Sequence, residues 1–158
     1  MSHKRIALIT GATSGIGEAT ARLLAVNQFK LILCGRRKDR LQKLADELRT
    51  HTEVTTLSFE VRNQKEVATS IDSLPTTWKD IDVLINNAGN AHGLDPIQTG
   101  SVNDWDAMMD INVKGLLYVT KAVLPVMIKR NSGHIINIGS IAGKEVYANG
   151  NVYCASKF

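Results

Sequence analysis

The chain is poor in the residues that build unusual proteins: its 158 residues include two cysteines, three prolines and only 5% aromatics. Cys34 and Cys154 form no C-x-x-C pair, which excludes a disulfide framework and fits reduced thiols used as small packing residues. With so little proline, and with 44% hydrophobic and 22% charged residues, the composition excludes a disordered or collagen-like chain. No unbroken apolar run approaches the roughly 20 residues needed to span a bilayer, and Met1-Ser2-His3-Lys4-Arg5 leads straight into an aliphatic run with no visible export signal. The expectation is a cytoplasmic protein without a membrane partner. Lys and Arg number 19 against 15 Asp and Glu, a net charge of +4. These charges are scattered and carry no basic and aromatic motif, so no nucleic-acid partner is expected. His3, His51, His92 and His134 lack ligand spacing, so no metal is expected either.

What the chain has is alternation. At about 150 residues per domain its length allows one domain, and strand-like runs alternate with helix-periodic segments from end to end, without repeats or linkers. Arg5 to Thr10 is continuous and aliphatic, as in a strand buried on both faces, and is followed by a helix with Ala19, Leu23 and Val26 on one stripe. Lys30 to Cys34 reads as a second strand, Leu41, Leu44, Ala45 and Leu48 recur at helical spacing, and Val54 to Val61 reads as a third strand. Asn63 and Glu66 have the spacing of a capping box opening a helix to about Ser73. Asp82 to Asn86 and His134 to Ile138 supply two more strands, on either side of a helical stretch from Trp105 to Lys129 that Pro125 is expected to bend. Right-handed crossovers between five such strands predict a doubly wound parallel sheet, a three-layer α/β/α Rossmann sandwich.

Chemistry-bearing residues fall at the strand ends. The first strand runs into Thr10-Gly11-Ala12-Thr13-Ser14-Gly15-Ile16-Gly17, which is either a tight turn or a helix N-terminus whose N–H groups face a pyrophosphate. Its place after a buried strand favours the second reading. About 20 residues further on, where an acidic residue would receive a ribose hydroxyl, stand Arg36 and Arg37. Guanidiniums suit a 2'-phosphate, so NADP(H) is expected over NAD(H), although two solvated arginines in a loop would look the same. Asn87-Ala88-Gly89 follows the fourth strand at the edge where open α/β sheets bind ligands. Ser140 follows the fifth, and Tyr153 and Lys157 stand four apart, on one face if helical. A phenol needs help to act as a base near neutral pH. A cation about 4 Å away supplies about 4 kcal/mol at an effective dielectric of 20, which Lys157 is in a position to provide.

Together, T-G-x-x-x-G-x-G, N-N-A-G, a lone Asn on the long helix, Ser140 and Y-x-x-x-K resemble the short-chain dehydrogenase/reductase family, over Arg5 through Lys157. The resemblance implies that Tyr153 is the acid–base residue, Lys157 its modulator and ribose anchor, Ser140 a donor to the substrate oxygen, and Asn112 the holder of a relay water. It also implies that Gly11, Ser14, Ile16, Asn87 and the two arginines hold the cofactor, within a wall that includes Ala12, Thr13, Gly15, Gly17, Ala88 and Gly89. Glu60, before Val61, departs from the family's usual Asp beside the adenine. Within the family, Gly35-Arg36-Arg37, the stretch Asn131 to Ser140 and Gly150-Asn151-Val152-Tyr153 look closest to NADP-dependent 3-hydroxy acid dehydrogenases of the serine or allo-threonine type. The substrate implied is a small hydroxy acid, alcohol or ketone, in a homo-oligomer, dimer or tetramer. A generic carbonyl or 3-oxoacyl reductase, and a noncatalytic NADP-binding or redox-sensing domain, remain alternatives. About a third of a typical member is absent, so the sequence reads as a chain truncated just after Lys157.

Overall fold

The computed structural model describes residues 4–158; His3 lies outside them. A five-stranded parallel sheet has the order β3-β2-β1-β4-β5, formed by β1 (Ile6–Thr10), β2 (Lys30–Gly35), β3 (Val54–Ser58), β4 (Ile81–Asn86) and β5 (His134–Asn137). Helices α1 (Gly15–Val26) and α2 (Lys38–Leu48) join β1 to β2 and β2 to β3. Helices α3 (Gln64–Asp72) and α4 (Thr76–Lys79) lead into β4. From β4 the chain passes through α5 (Val102–Met109), a π-helical turn (Asp110–Gly115) and α6 (Leu116–Arg130) to β5. A 3-10 turn (Ile141–Gly143) precedes α7 (Asn151–Lys157).

Alternation along the central strands divides the core into two faces. Ile6, Leu8, Ile32 and Cys34 meet Val67 and Ile71 of α3 and Val119, Val123 and Met127 of α6. Ala7, Ile9, Leu31 and Leu33 meet Ala21 and Ala25 of α1 and all four apolar residues expected of α2, Leu41, Leu44, Ala45 and Leu48. The result is a helix–sheet–helix sandwich whose central strand β1 is buried throughout. Burial without a compensating charge pushes the Cys34 thiol well above its usual range, consistent with a packing residue that stays protonated.

Three local expectations are corrected. The stripe of Ala19, Leu23 and Val26 faces solvent, and α1 instead buries Gly17, Ala21 and Ala25. Small residues on that face let the helix axis lie close to the sheet, so size prevails over hydrophobicity. The third strand ends at Ser58 instead of Val61, because Glu60 and Val61 already turn toward the cap of α3. At that cap Asn63 Oδ1 accepts the Glu66 N–H (3.2 Å), but Glu66 Oε2 accepts from the backbone of Glu60 (3.1 Å), tying the helix start to the strand end. The long helical stretch begins at Val102 and is interrupted at Asp110–Gly115, fifteen residues ahead of Pro125 at its start, by a π-helical turn. Taken as one unit, Val102–Arg130 is long and apolar enough to cross a membrane by length and composition, a property hidden from a search for unbroken apolar runs. Its Val119, Val123 and Met127 seat it on the sheet as a core helix.

The sheet is fastened at its amino edge by Asp82. The β1–β4 register shifts between Ile6, opposite Ile81, and Ala7, opposite Val83, leaving Asp82 as a bulge. Its carboxylate accepts the Ile6 N–H (2.8 Å) in place of a strand carbonyl and pairs with Arg130 of α6, which also donates to Ile81 O (3.3 Å). One side chain thus joins two strands and a helix. Asp82→Ala leaves the Ile6 N–H without its acceptor and Arg130 with only Ile81 O and the more distant Asp80, and is expected to destabilise the fold by about 2 kcal/mol, measured as a lower urea midpoint with an unchanged m-value.

Candidate active site

The carboxyl ends of β1 and β4 are neighbours whose following connections leave toward opposite faces of the sheet, which opens a crevice there. Buried Thr10 closes its floor. Its Oγ1 accepts the backbone N–H groups of both Asn87 and Ala88 (3.0 Å each) and donates to Ile85 O (3.4 Å). Asn87 Nδ2 returns the link by donating to Thr10 O (2.9 Å) and Gly11 O (3.1 Å). Gly17 packs against this knot, since a Cβ there would overlap both Asn87 Nδ2 and Gly11 O.

The crevice is a cleft of about 390 Å³. Gly11, Thr13, Ser14 and Ile16 of the glycine-rich loop form one wall, and Arg36, Arg37, Glu60 and Val61 form the end toward β2 and β3. Asn87, Ala88 and Gly89 form the floor, and Tyr153 and Lys157 stand at the far end. Thirteen of the residues singled out in the sequence therefore share one cavity. Ala12, Gly15, Gly17, Asn112 and Ser140 do not line it. Ala12 is buried behind the loop, its N–H on Cys34 O (3.1 Å).

The two arginines are differently engaged. Arg37 Nη2 donates to Thr13 Oγ1 (2.7 Å) and Ser14 Oγ (3.2 Å), bracing the loop. Arg36 extends along the wall and pairs with Glu60 (3.2 Å).

At the far end Lys157 Nζ donates to Ile138 O (3.2 Å). Both Nζ and Asn112 Oδ1 lie close to where a Cβ of Gly89 would be (3.3 and 3.2 Å), so only glycine lets the three meet without displacement. Asn112, on the π-helical turn, accepts the Asn90 N–H (2.9 Å) and donates to Asn90 O (2.8 Å) and Ser156 Oγ (2.9 Å). Ser156 Oγ donates in turn to Tyr153 O (2.8 Å). Ser140 caps the 3-10 turn, its Oγ accepting the Ala142 N–H (3.2 Å). Tyr147 is held above the usual phenol range, first by partial desolvation and then by Cys154 and Tyr153, which makes it unsuited to proton transfer near neutral pH. Thr10, Asn90 and Ser156 were not among the expected site residues. Thr10 and Ser156 lie inside motifs already recognised, but their hydrogen-bond partners are distant in sequence and leave no local signal. Among the described residues, no group of three or more His, Cys, Asp or Glu could hold a metal ion.

The donor set fits a dinucleotide. Ser14, the N-cap of α1, makes no side-chain cap, so the first-turn N–H groups are uncapped by it. Gly15, at φ +56°, has no atom within 4 Å of where a Cβ would stand, so the helix start is open to an anion.

The family described as short chain dehydrogenase matches residues 5–158. The chain is 55% identical over 152 residues to the NADP-dependent 3-hydroxy acid dehydrogenase YdfG of Salmonella typhi, covering 96% of this chain and 60% of that protein. It is 47% identical over 153 residues to sulfoacetaldehyde reductase 2 of Chromohalobacter salexigens, covering 96% and 61%. The closed form of a serine dehydrogenase complexed with NADP+ superposes with a TM-score of 0.90 at 51% identity, over 96% of this chain and 60% of that one. The chain thus spans about 60% of the length of these curated relatives.

The Thr10 knot yields a direct test. Thr10→Val keeps the shape of the side chain but leaves two half-buried N–H groups without their acceptor, at about 1–3 kcal/mol. Chemical denaturation is expected to show that loss, and the amides of Asn87 and Ala88 to exchange faster with solvent than those of β1.

Proposed function

The chain belongs to the short-chain dehydrogenase family, and from that premise we propose that it is an NADP(H)-dependent oxidoreductase interconverting a small 3-hydroxy acid and its ketone or aldehyde. The observation that carries the reading is the single cleft shared by the glycine-rich loop, the Arg36 wall, Tyr153 and Lys157. NADP(H), when bound, supplies or accepts the hydride.

The uncapped start of α1 would receive the pyrophosphate and Arg36 the 2'-phosphate, while Arg37 keeps the loop in shape for both. Tyr153 is the group that takes a proton from the substrate hydroxyl in oxidation and returns it in reduction. Lys157 comes to the same cavity wall one helical turn later, where it would place a positive charge beside the cofactor. Its contact with Ile138 O leaves two further N–H groups for a ribose. Ser140 accepts from Ala142 N–H, which leaves its hydroxyl proton to donate to the substrate oxygen. Asn112 fixes Asn90 and, through Ser156, the last turn of the helix that carries the base, close to where it would hold a relay water.

The names of the relatives support the substrate class. A 3-hydroxy acid and sulfoacetaldehyde share an oxygen-bearing carbon separated by one carbon from an anionic group, so a short anionic substrate suits both. The apolar exposed side chains of the long helical stretch, Val102, Met109, Leu117 and Ile128, favour a homo-oligomer, dimer or tetramer, in which they would be covered.

Purified protein is expected to bind NADPH more tightly than NADH by fluorescence titration, and to reduce NADP+ in the presence of a 3-hydroxy acid, followed at 340 nm. Tyr153→Phe is expected to lower kcat by about 10²–10⁴-fold with NADPH affinity little changed. Turnover near that of the parent in this variant would remove Tyr153 from the mechanism, and binding without turnover of any hydroxy acid, alcohol or ketone would favour a noncatalytic nucleotide-binding role.

A further inference from the structure

The two arginines at the end of the cleft differ in what holds them. Arg37 commits Nη2 to Thr13 and Ser14, whereas the Arg36 guanidinium, 64% exposed at its side chain, makes no bond to the loop and meets Glu60. The Glu60 carboxylate lies 3.2 Å from it. Glu60 is itself fixed from behind. Its Oε1 accepts the Arg62 N–H (3.4 Å), its Oε2 is shared with Arg62 Nη2 (3.4 Å), and its backbone N–H is held by Glu66 (3.1 Å). Its side chain is only 23% exposed and lines the cleft. A 2'-phosphate that approaches Arg36 therefore arrives beside a carboxylate that neither moves away readily nor gives up its partner without competition.

We propose that Glu60 sets how strongly this cleft discriminates 2'-phosphorylated from unphosphorylated nucleotide, by competing with the phosphate for Arg36. The proposal rests on the reading of the cleft as an NADP(H) site and adds to it a negative contribution from the chain itself. Neutralising Glu60 removes one charge of the phosphate's own sign and releases the guanidinium toward it. An unphosphorylated ribose carries no charge at that point and is indifferent to the change. The magnitude is that of an exposed ion pair, about two- to fivefold in affinity, and it is screened by salt.

The test is fluorescence titration of NADPH and of NADH on the full-length protein, on Glu60→Gln, and on Arg36→Gln with and without Glu60→Gln. Glu60→Gln is expected to raise the preference for NADPH over NADH about two- to fivefold at low salt, with a smaller gain at high salt, on top of any change that the two nucleotides share through the adenine. In the Arg36→Gln background the same change is expected to give no such gain. NADPH affinity that is unchanged or weakened, with NADH affinity retained, would mean that Glu60 prepares Arg36 instead of competing for the phosphate, and overturns the proposal. An equal change for both nucleotides places Glu60 on the part they share and overturns it too. A gain that survives Arg36→Gln rejects the route through Arg36. Failure of the parent to bind NADPH is a distinct result, which removes the cofactor reading along with the proposal.

Discussion

A buried hydroxyl holds the site together. β1 and β4 are adjacent, but the segments that leave them diverge, and nothing in the strand ladder dictates how the two exits face each other. Thr10 Oγ1 settles this by accepting two successive N–H groups at the exit of β4, and Asn87 answers with its amide to the exit of β1. In a low-dielectric floor these bonds are strong and leaving any of them unmade is costly. The rest of the cleft is placed from this point. Gly17 is small because Asn87 lies against it, and Gly89 follows two residues later as the meeting place of Asn112 and Lys157.

The second fixed point is the π-helical turn. A widened turn inside an otherwise regular helix is a costly local choice that recurs at functional positions. Here it contains Asn112, buried, whose amide connects the loop after β4 at Asn90 to α7 at Ser156. The helix that bears Tyr153 and Lys157 has only seven residues, too short to be stable by itself. Its position comes from what it touches: the Ser156 and Tyr153 contacts on one side and the Lys157 to Ile138 contact on the other. The position of α7 is thus imposed from two separate segments, the π-helical turn and the residue after β5.

Much of this was legible in the sequence because burial is local in period. The aliphatic runs of β1 and β2, the apolar spacing of Leu41, Leu44, Ala45 and Leu48, and the glycines after Thr10 each announce their role within a few residues. The failures have a common cause in packing between distant segments. In α1 the larger apolar residues pointed to the wrong face, because closeness to the sheet selects Gly17, Ala21 and Ala25. The π-helical turn, the engagement of Arg37 with Thr13 and the pairing of Arg36 with Glu60 all depend on partners 23 or more residues away or on a change of helical pitch. No periodicity encodes them. Gly35-Arg36-Arg37 shows in the sequence that this end of the cleft is cationic but not the different engagement of its two guanidiniums.

The placement of charge adds an argument that composition alone conceals. A net charge of +4 over 158 residues is unremarkable, yet Arg36, Arg37 and Lys38 stand together at the start of α2, with Arg37 as its N-cap and no side-chain cap made. That is the end of a helix that favours anions, and each cation there works against the dipole by a few tenths of a kcal/mol or more. Asp39 and the reach of Glu60 toward Arg36 offset part of the conflict. An anionic ligand in the neighbouring cleft would relieve the rest, since it is attracted at once by the guanidinium, by the start of α1 and by the start of α2. A fold that tolerates a local arrangement of this kind beside an open cavity has its stability and its ligand affinity coupled at the same residues, so the tightness of nucleotide binding and the order of the loop between β2 and α2 are expected to rise and fall together.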